Sequence, residues 1–154
     1  MPALKLQDGE VLTEAAAILQ YLVDQAPQAG LAPAPGTLAR YRFVEWLTFI
    51  SSEIHKGFGP LWNPATPEET RAATVEKLNQ RFAYLDRHLA EQSFLVRDGF
   101  TAADAYLFTV ASWATLLKVD LLSFANLQAY LKRVSARPAV QTALRAEGLL
   151  KEAA

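Results

Sequence analysis

The sequence predicts a mainly α-helical protein: a helical bundle preceded by one small β-hairpin and a helix. Three observations carry that expectation. Apolar residues recur at three-four spacing over residues 38–56 and again over 75–89. Helix-starting signals stand at Thr66-Pro67-Glu68-Glu69 and at Thr101-Ala102-Ala103-Asp104. Near the start, Asp8-Gly9, a favoured hairpin turn pair, separates two short runs, residues 3–6 and 10–12.

The hairpin opens the chain, and since two strands alone are barely stable, its outer edge is expected to meet further structure. Thr13 is placed to cap the first helix, with Glu14 in its first turn beside the positive end of the dipole and an end near Gln25. The stretch APQAGLAPAPG holds three of the eight prolines, two glycines and no charge, which marks a linker. The expected division is a first unit over 1–26, the linker over 27–36 and a helical domain over 37–154.

Within the helical domain, Phe43, Leu47, Ile50 and Ile54 line one side of a helix over 38–56. GFGPLWNPAT reads as a loop. Thr66 is the expected cap of the next helix, Pro67 its first residue and Glu69 the capping-box acid, with Val75, Leu78, Phe82, Leu85 and Leu89 facing inward. The two helices are expected to pack at a shallow angle. Thr101 and Asp104 form a second capping box, with Phe100 as a staple. The helix behind them carries no charge from Ala105 until Lys118, so it is expected to be enclosed on every side, the hub of the bundle. Two shorter helices, over 123–136 and 139–147, are separated by Arg137-Pro138 and closed by Gly148.

Composition narrows the function. At 51% hydrophobic and 20% charged, the chain is of globular type. A net charge of −1 and the lack of a basic stretch argue against nucleic acid or an anionic membrane as partner. The absence of cysteine excludes disulfides, thiolate metal sites and a protein thiol nucleophile. No basic segment followed by an apolar stretch opens the sequence, so a cytoplasmic location is expected, and the uncharged run over 105–117 is too short for a bilayer.

In their order and spacing, PAL, DGEVLTEAAAILQYL, EWLTFISSEIHKGF, FTAADAYLFTV and RPAVQTAL resemble the cytosolic glutathione transferases, most closely the bacterial beta class, over essentially the whole chain. The resemblance implies that the hairpin and first helix form the closing half of a thioredoxin-like glutathione-binding domain whose opening β-α-β unit is absent. The bundle is then the family's C-terminal helical domain. The absent unit carries the family's Tyr, Ser or Cys that contacts the glutathione sulfur.

The resemblance also assigns candidate roles. Met1 and Pro2 would form the family's cis-proline contact with the cysteinyl part of glutathione. Glu14 and Ala15 stand where a helix start grips the γ-glutamyl group, although Ala15 lacks the usual hydroxyl; on the residues alone, Glu14 equally serves the helix dipole. Glu45, Thr48, Ser52 and His55 share a stripe with Lys56 at its edge, which spacing alone leaves as either a site or a solvated face. The resemblance puts Thr48, Ser52 and Glu53 against glutathione bound to a partner subunit, and His55 and Lys56 near the sulfur and the electrophile. His55 is the candidate catalytic residue. Tyr106 and Trp113, close to two turns apart, are either core or the wall of the electrophile pocket. Arg97 stands where the family often has glycine, with Gly99 two positions on.

The implied activity is addition of the glutathione thiolate to small hydrophobic electrophiles, in detoxification, by a homodimer, with glutathione as co-substrate and no cofactor. Without the leading unit, weak or negligible turnover is expected. The alternative is a non-catalytic module on the same scaffold, for hydrophobic ligands or for assembly.

Overall fold

Gly9, at φ 92, lets the chain reverse where a side chain would be strained. In the computed structural model, which describes residues 2–96 and 99–150, β1 (Ala3–Lys5) and β2 (Val11–Thr13) pair antiparallel with Leu4 opposite Leu12. The turn is longer than the expected Asp8-Gly9 pair. Gly9 N–H donates to the Leu6 carbonyl and Leu6 N–H to that of Glu10, giving a three-residue loop over 7–9 in which the Asp8 carboxylate accepts from Glu10 N–H.

Helix α1 (Ala15–Gln25) starts one step later than expected. Thr13 is held in the strand opposite Ala3, so it cannot cap, and Glu14 takes the N-cap position with φ 71. The linker is firmly held. It contains a 3-10 turn (Pro27–Ala29), the Leu31 carbonyl accepts from Ala102 N–H, and Arg40 donates through both terminal nitrogens to Asp24 at 2.9 Å. That buried guanidinium, which also donates to the Pro33 carbonyl, fastens the end of α1 to the start of the next helix.

The expected helix over 38–56 is three conformations in series. Capped by Thr37, α2 (Leu38–Phe49) passes into a π-helix (Ile50–His55) and then a 3-10 helix (Lys56–Trp62). The segment read as a loop is therefore mostly helical, because Phe58 and Leu61 are buried and anchor it. Helix α3 (Glu68–Glu91) begins after Pro67, not Thr66, whose hydroxyl donates to the Pro60 carbonyl and has no cap to offer. Leu78, Phe82, Leu85 and Leu89 are buried as the spacing requires.

Helix α4 (Ala102–Leu116) has the expected start. Its Asp104 carboxylate, wholly buried, accepts from the backbone N–H and hydroxyl of Thr101, from Leu95 N–H and from the Tyr130 hydroxyl. The helix is not enclosed on every side, however. Thr109, Ser112 and Leu116 are exposed, and the two hydroxyls are satisfied by donating to the carbonyls of Ala105 and Thr109 in the helix itself. An uncharged face can stay at the surface by this means, which the absence of charge alone does not disclose. Helices α5 (Ala125–Ser135) and α6 (Pro138–Ala146) complete the bundle, and Arg137 stacks on Phe100 at 3.8 Å. One continuous apolar core runs from Val23 of α1 to Val134 of α5. Among the described residues, no helix is long and apolar enough to cross a membrane. Arg97 lies outside the described residues.

Burial raises the Asp104 carboxyl above the ordinary carboxylate range, against the hydrogen bonds from Leu95, Thr101 and Tyr130 that favour its charged form. Asp104→Ala leaves those donors unpaired and is expected to cost about 3–4 kcal/mol in urea denaturation. Because the folded state holds this proton more tightly than the unfolded one, the contribution is full below the ordinary range and declines as pH rises through the raised pKa. Stability of the wild type relative to Asp104→Asn is expected to fall across that window.

Candidate functional site

A π-helix closes its hydrogen bonds over five residues, so residues four and five apart come to share a face. Here Lys56 N–H donates to the Ser51 carbonyl, and Ser51, Ser52, His55 and Lys56 turn together toward one cavity of about 400 Å³. Glu14 and Ala15, at the start of α1, and Pro2 line it from the hairpin side, and Tyr106 closes it from α4. Three separate parts of the chain thus meet, and the volume suits a small ligand, for which about 300–1,000 Å³ is usual.

The α1 side offers an anion-binding edge. The first turn of a helix leaves backbone N–H groups without partners, and the helix dipole adds positive potential there. Glu14 sits at that edge in a backbone conformation that costs a non-glycine residue about 1–3 kcal/mol. Its carboxylate supplies negative charge and Lys56 positive charge to the same cavity.

On the opposite wall, His55 Nδ1 and the Tyr106 hydroxyl lie 2.7 Å apart. Trp113 packs edge-on against the imidazole with ring centres 4.9 Å apart, backed by Phe58 and Trp62. Burial lowers the His55 pKa below the usual imidazole range, opposed by the Glu14 charge. Burial likewise raises the Tyr106 phenol, while the Ser51 hydroxyl favours its charged form and Glu14 disfavours it. Near neutral pH the imidazole is therefore uncharged and the phenol keeps its proton.

The candidates read from the sequence fall into two groups. Pro2, Glu14, Ala15, Ser52, His55, Lys56 and Tyr106 share the cavity. Thr48 is exposed, with its hydroxyl on the Val44 carbonyl, and Glu45 pairs with Arg42 at 2.8 Å. Glu53 turns away to Arg81 at 2.7 Å. Trp113 supports His55 from behind without lining the cavity. Met1, and with it the Met1-Pro2 bond, lies outside the described residues. Ser51 was missed. Its signal was the spacing, for it stands three residues after Thr48 and four before His55. A second, more apolar cavity of about 370 Å³ lies between α4 and α6, lined by Phe108, Val140 and Leu144 among others.

A family model described as glutathione S-transferase, C-terminal domain, matches residues 49–138. Glutathione S-transferase GstA of Escherichia coli O157:H7 is 43% identical over 149 residues, covering 97% of this chain and 74% of the relative. Among solved structures, a glutathione transferase from Methylococcus capsulatus superposes with a TM-score of 0.94 at 50% identity, over 97% of this chain and 74% of its own. A sphingomonad glutathione S-transferase complexed with glutathione gives 0.92 at 45% identity, over 97% and 75%. The chain thus spans about three quarters of the length of these relatives.

The electrostatics of the cavity lead to a direct measurement. In proton NMR titrations, His55 is expected to titrate below the ordinary imidazole range, and Glu14→Gln, which removes the charge opposing that shift, is expected to lower it further.

Proposed function

This chain belongs to the glutathione S-transferase family, and from that premise we propose that it binds glutathione in the cavity between α1 and the π-helix and adds its thiolate to small hydrophobic electrophiles. The observation that carries the reading is the convergence of Glu14, the first turn of α1, Lys56 and His55 on one cavity. Glutathione bears two carboxylates and one ammonium. The start of α1 receives the γ-glutamyl carboxylate, Glu14 receives its ammonium, and Lys56 attracts the remaining carboxylate.

With those ends fixed, the sulfur falls toward His55 and Tyr106. The thiol gives its proton to solvent and the thiolate is stabilised by hydrogen bonding to the imidazole. With a chlorinated nitroaromatic, the C–S bond forms and chloride leaves. A neutral imidazole lowers a thiol's pKa less than a cation does, so turnover is slow. Pro2, at the hairpin edge, and Ser52 complete the walls. Trp113 acts through the imidazole it supports. The reading places the protein in the cytoplasm, in detoxification.

Association follows from a second surface. Leu38 is 72% exposed, Tyr41 65% and Tyr84 47%, and Tyr84 forms an aromatic group with Phe49 and Trp46. An apolar surface of this kind along α2 and α3, with Thr48 on the same outer side, suits a second copy of the chain. The cavity between α4 and α6 favours the second reading, a binder of hydrophobic ligands without conjugating activity.

Calorimetry with glutathione and a thiol-conjugation assay separate the two. Glutathione binding with slow turnover that falls about tenfold or more in His55→Ala supports the transferase reading; tight binding of hydrophobic ligands with no glutathione affinity supports the other. Sedimentation is expected to show a dimer, and Tyr84→Glu, which puts charge into the aromatic surface, is expected to shift it toward monomer. A wild type that stays monomeric at high concentration excludes the homodimer.

A further inference from the structure

The contact between His55 and Tyr106 carries a step beyond that reading, while resting on it for the identity of the sulfur ligand. At 2.7 Å the two atoms share one proton, and whichever owns it decides which ring nitrogen is left protonated. A phenol is a far stronger acid than a neutral imidazole N–H, and an imidazole nitrogen a far better base than a phenol oxygen. The phenol therefore donates and Nδ1 accepts. Burial works in the same direction on both partners, keeping the phenol protonated and the imidazole neutral. Trp113 and Tyr106 stand edge-on to the imidazole at 4.9 and 5.7 Å, so the ring cannot turn over without repacking α4 and losing this hydrogen bond. Among the described residues, the charged groups on the cavity are Glu14, at the start of α1, and Lys56, next in sequence, and neither makes a hydrogen bond to the imidazole; the charge of the amino terminus acts on the ring in the same direction as burial.

We infer that Tyr106 is a positioning residue: its hydroxyl donates to His55 Nδ1 and fixes the ring as the neutral Nε2–H tautomer, which offers that N–H to a sulfur anion in the cavity. His55 is then a hydrogen-bond donor and not a general base. Nε2 already holds a proton, so the proton lost by the thiol goes to solvent and the imidazole is unchanged through the reaction. The Ser51 hydroxyl, beside the same phenol, assists by favouring negative charge on its oxygen.

The chain has two histidines, so the ring nitrogens of His55 can be assigned by NMR against a His55→Gln sample. The wild type is expected to show Nε2 protonated and Nδ1 as acceptor. In Tyr106→Phe the ring is expected to become a mixture of tautomers with a raised pKa, because a donor to its neutral form is gone. For conjugation, kcat is expected to fall about tenfold in Tyr106→Phe with KM for glutathione changed less than about twofold. His55→Gln, which keeps an N–H near the position of Nε2, is expected to retain more activity than His55→Ala. A wild-type ring protonated at Nδ1, or ring shifts that stay the same in a folded Tyr106→Phe, overturns the inference. Should that variant not fold by circular dichroism, the wild-type spectrum decides. Absence of glutathione binding in calorimetry overturns the transferase reading instead, since the ring spectra are recorded without ligand.

Discussion

A single buried carboxylate fixes where α4 begins, and the site depends on that position. Asp104 gathers the loop at Leu95, the cap at Thr101 and the phenol of Tyr130 on α5 into one group of hydrogen bonds from which water is excluded. Burial works against its charge, so these donors must all be present for the carboxylate to be tolerated as an anion. Two residues further along the same helix stands Tyr106. A change in the start of α4 rotates that phenol relative to His55, and half an ångström is enough to weaken a hydrogen bond of 2.7 Å. The folding device and the functional wall are thus parts of the same helical turn.

The other side of the cavity depends on helical pitch. Had the chain kept α-helical geometry beyond Phe49, Ser51 and Lys56, five residues apart, would have stood well apart around the helix. The π-helix redistributes this set. Ile50 and Ile54 remain buried as anchors while Ser51, Ser52, His55 and Lys56 share the opposite face. Such wide turns are less favourable than α-helix and persist where packing over-determines them. Here the packing comes from Phe58 against Phe82 and Trp113, and from Gly57, where a Cβ would stand 2.9 Å from a Leu78 methyl carbon. A side chain at 57 would have to push that Leu78 methyl aside.

What was legible in the sequence divides along the same line. Periodicity located the inward residues of α2 and α3, and the capping box located α4, because both are local patterns that burial and hydrogen bonding enforce directly. The cap at Thr13 was misread because cross-strand pairing with Ala3 outweighed a local preference. Thr66 was lost to the Pro60 carbonyl, a partner that no window around Thr66 as a cap reveals. At the site, Glu14, Ser52, His55, Lys56 and Tyr106 were singled out before their convergence was visible; Ser51 was legible from its three-four spacing to Thr48 and His55 but was passed over, whereas the outward turn of Glu53 required knowledge of Arg81, 28 residues away along the chain.

The charge pattern of the cavity constrains how the proposed ligand lies in it. A ligand with a carboxylate and an ammonium on one carbon finds matching partners where the first turn of α1 and Glu14 stand side by side, while Lys56 and His55 line the same cavity. Reversing the ligand would set its ammonium against Lys56 and its distal carboxylate against Glu14, two like-charge encounters in a partly enclosed volume. In the proposed pose the ends of the peptide are distinguished by charge, and its middle, where the sulfur is, falls beside the imidazole. An uncharged imidazole suits that place: as a cation it would compete with Lys56 for the ligand's carboxylates, while as a neutral donor it acts on the sulfur alone.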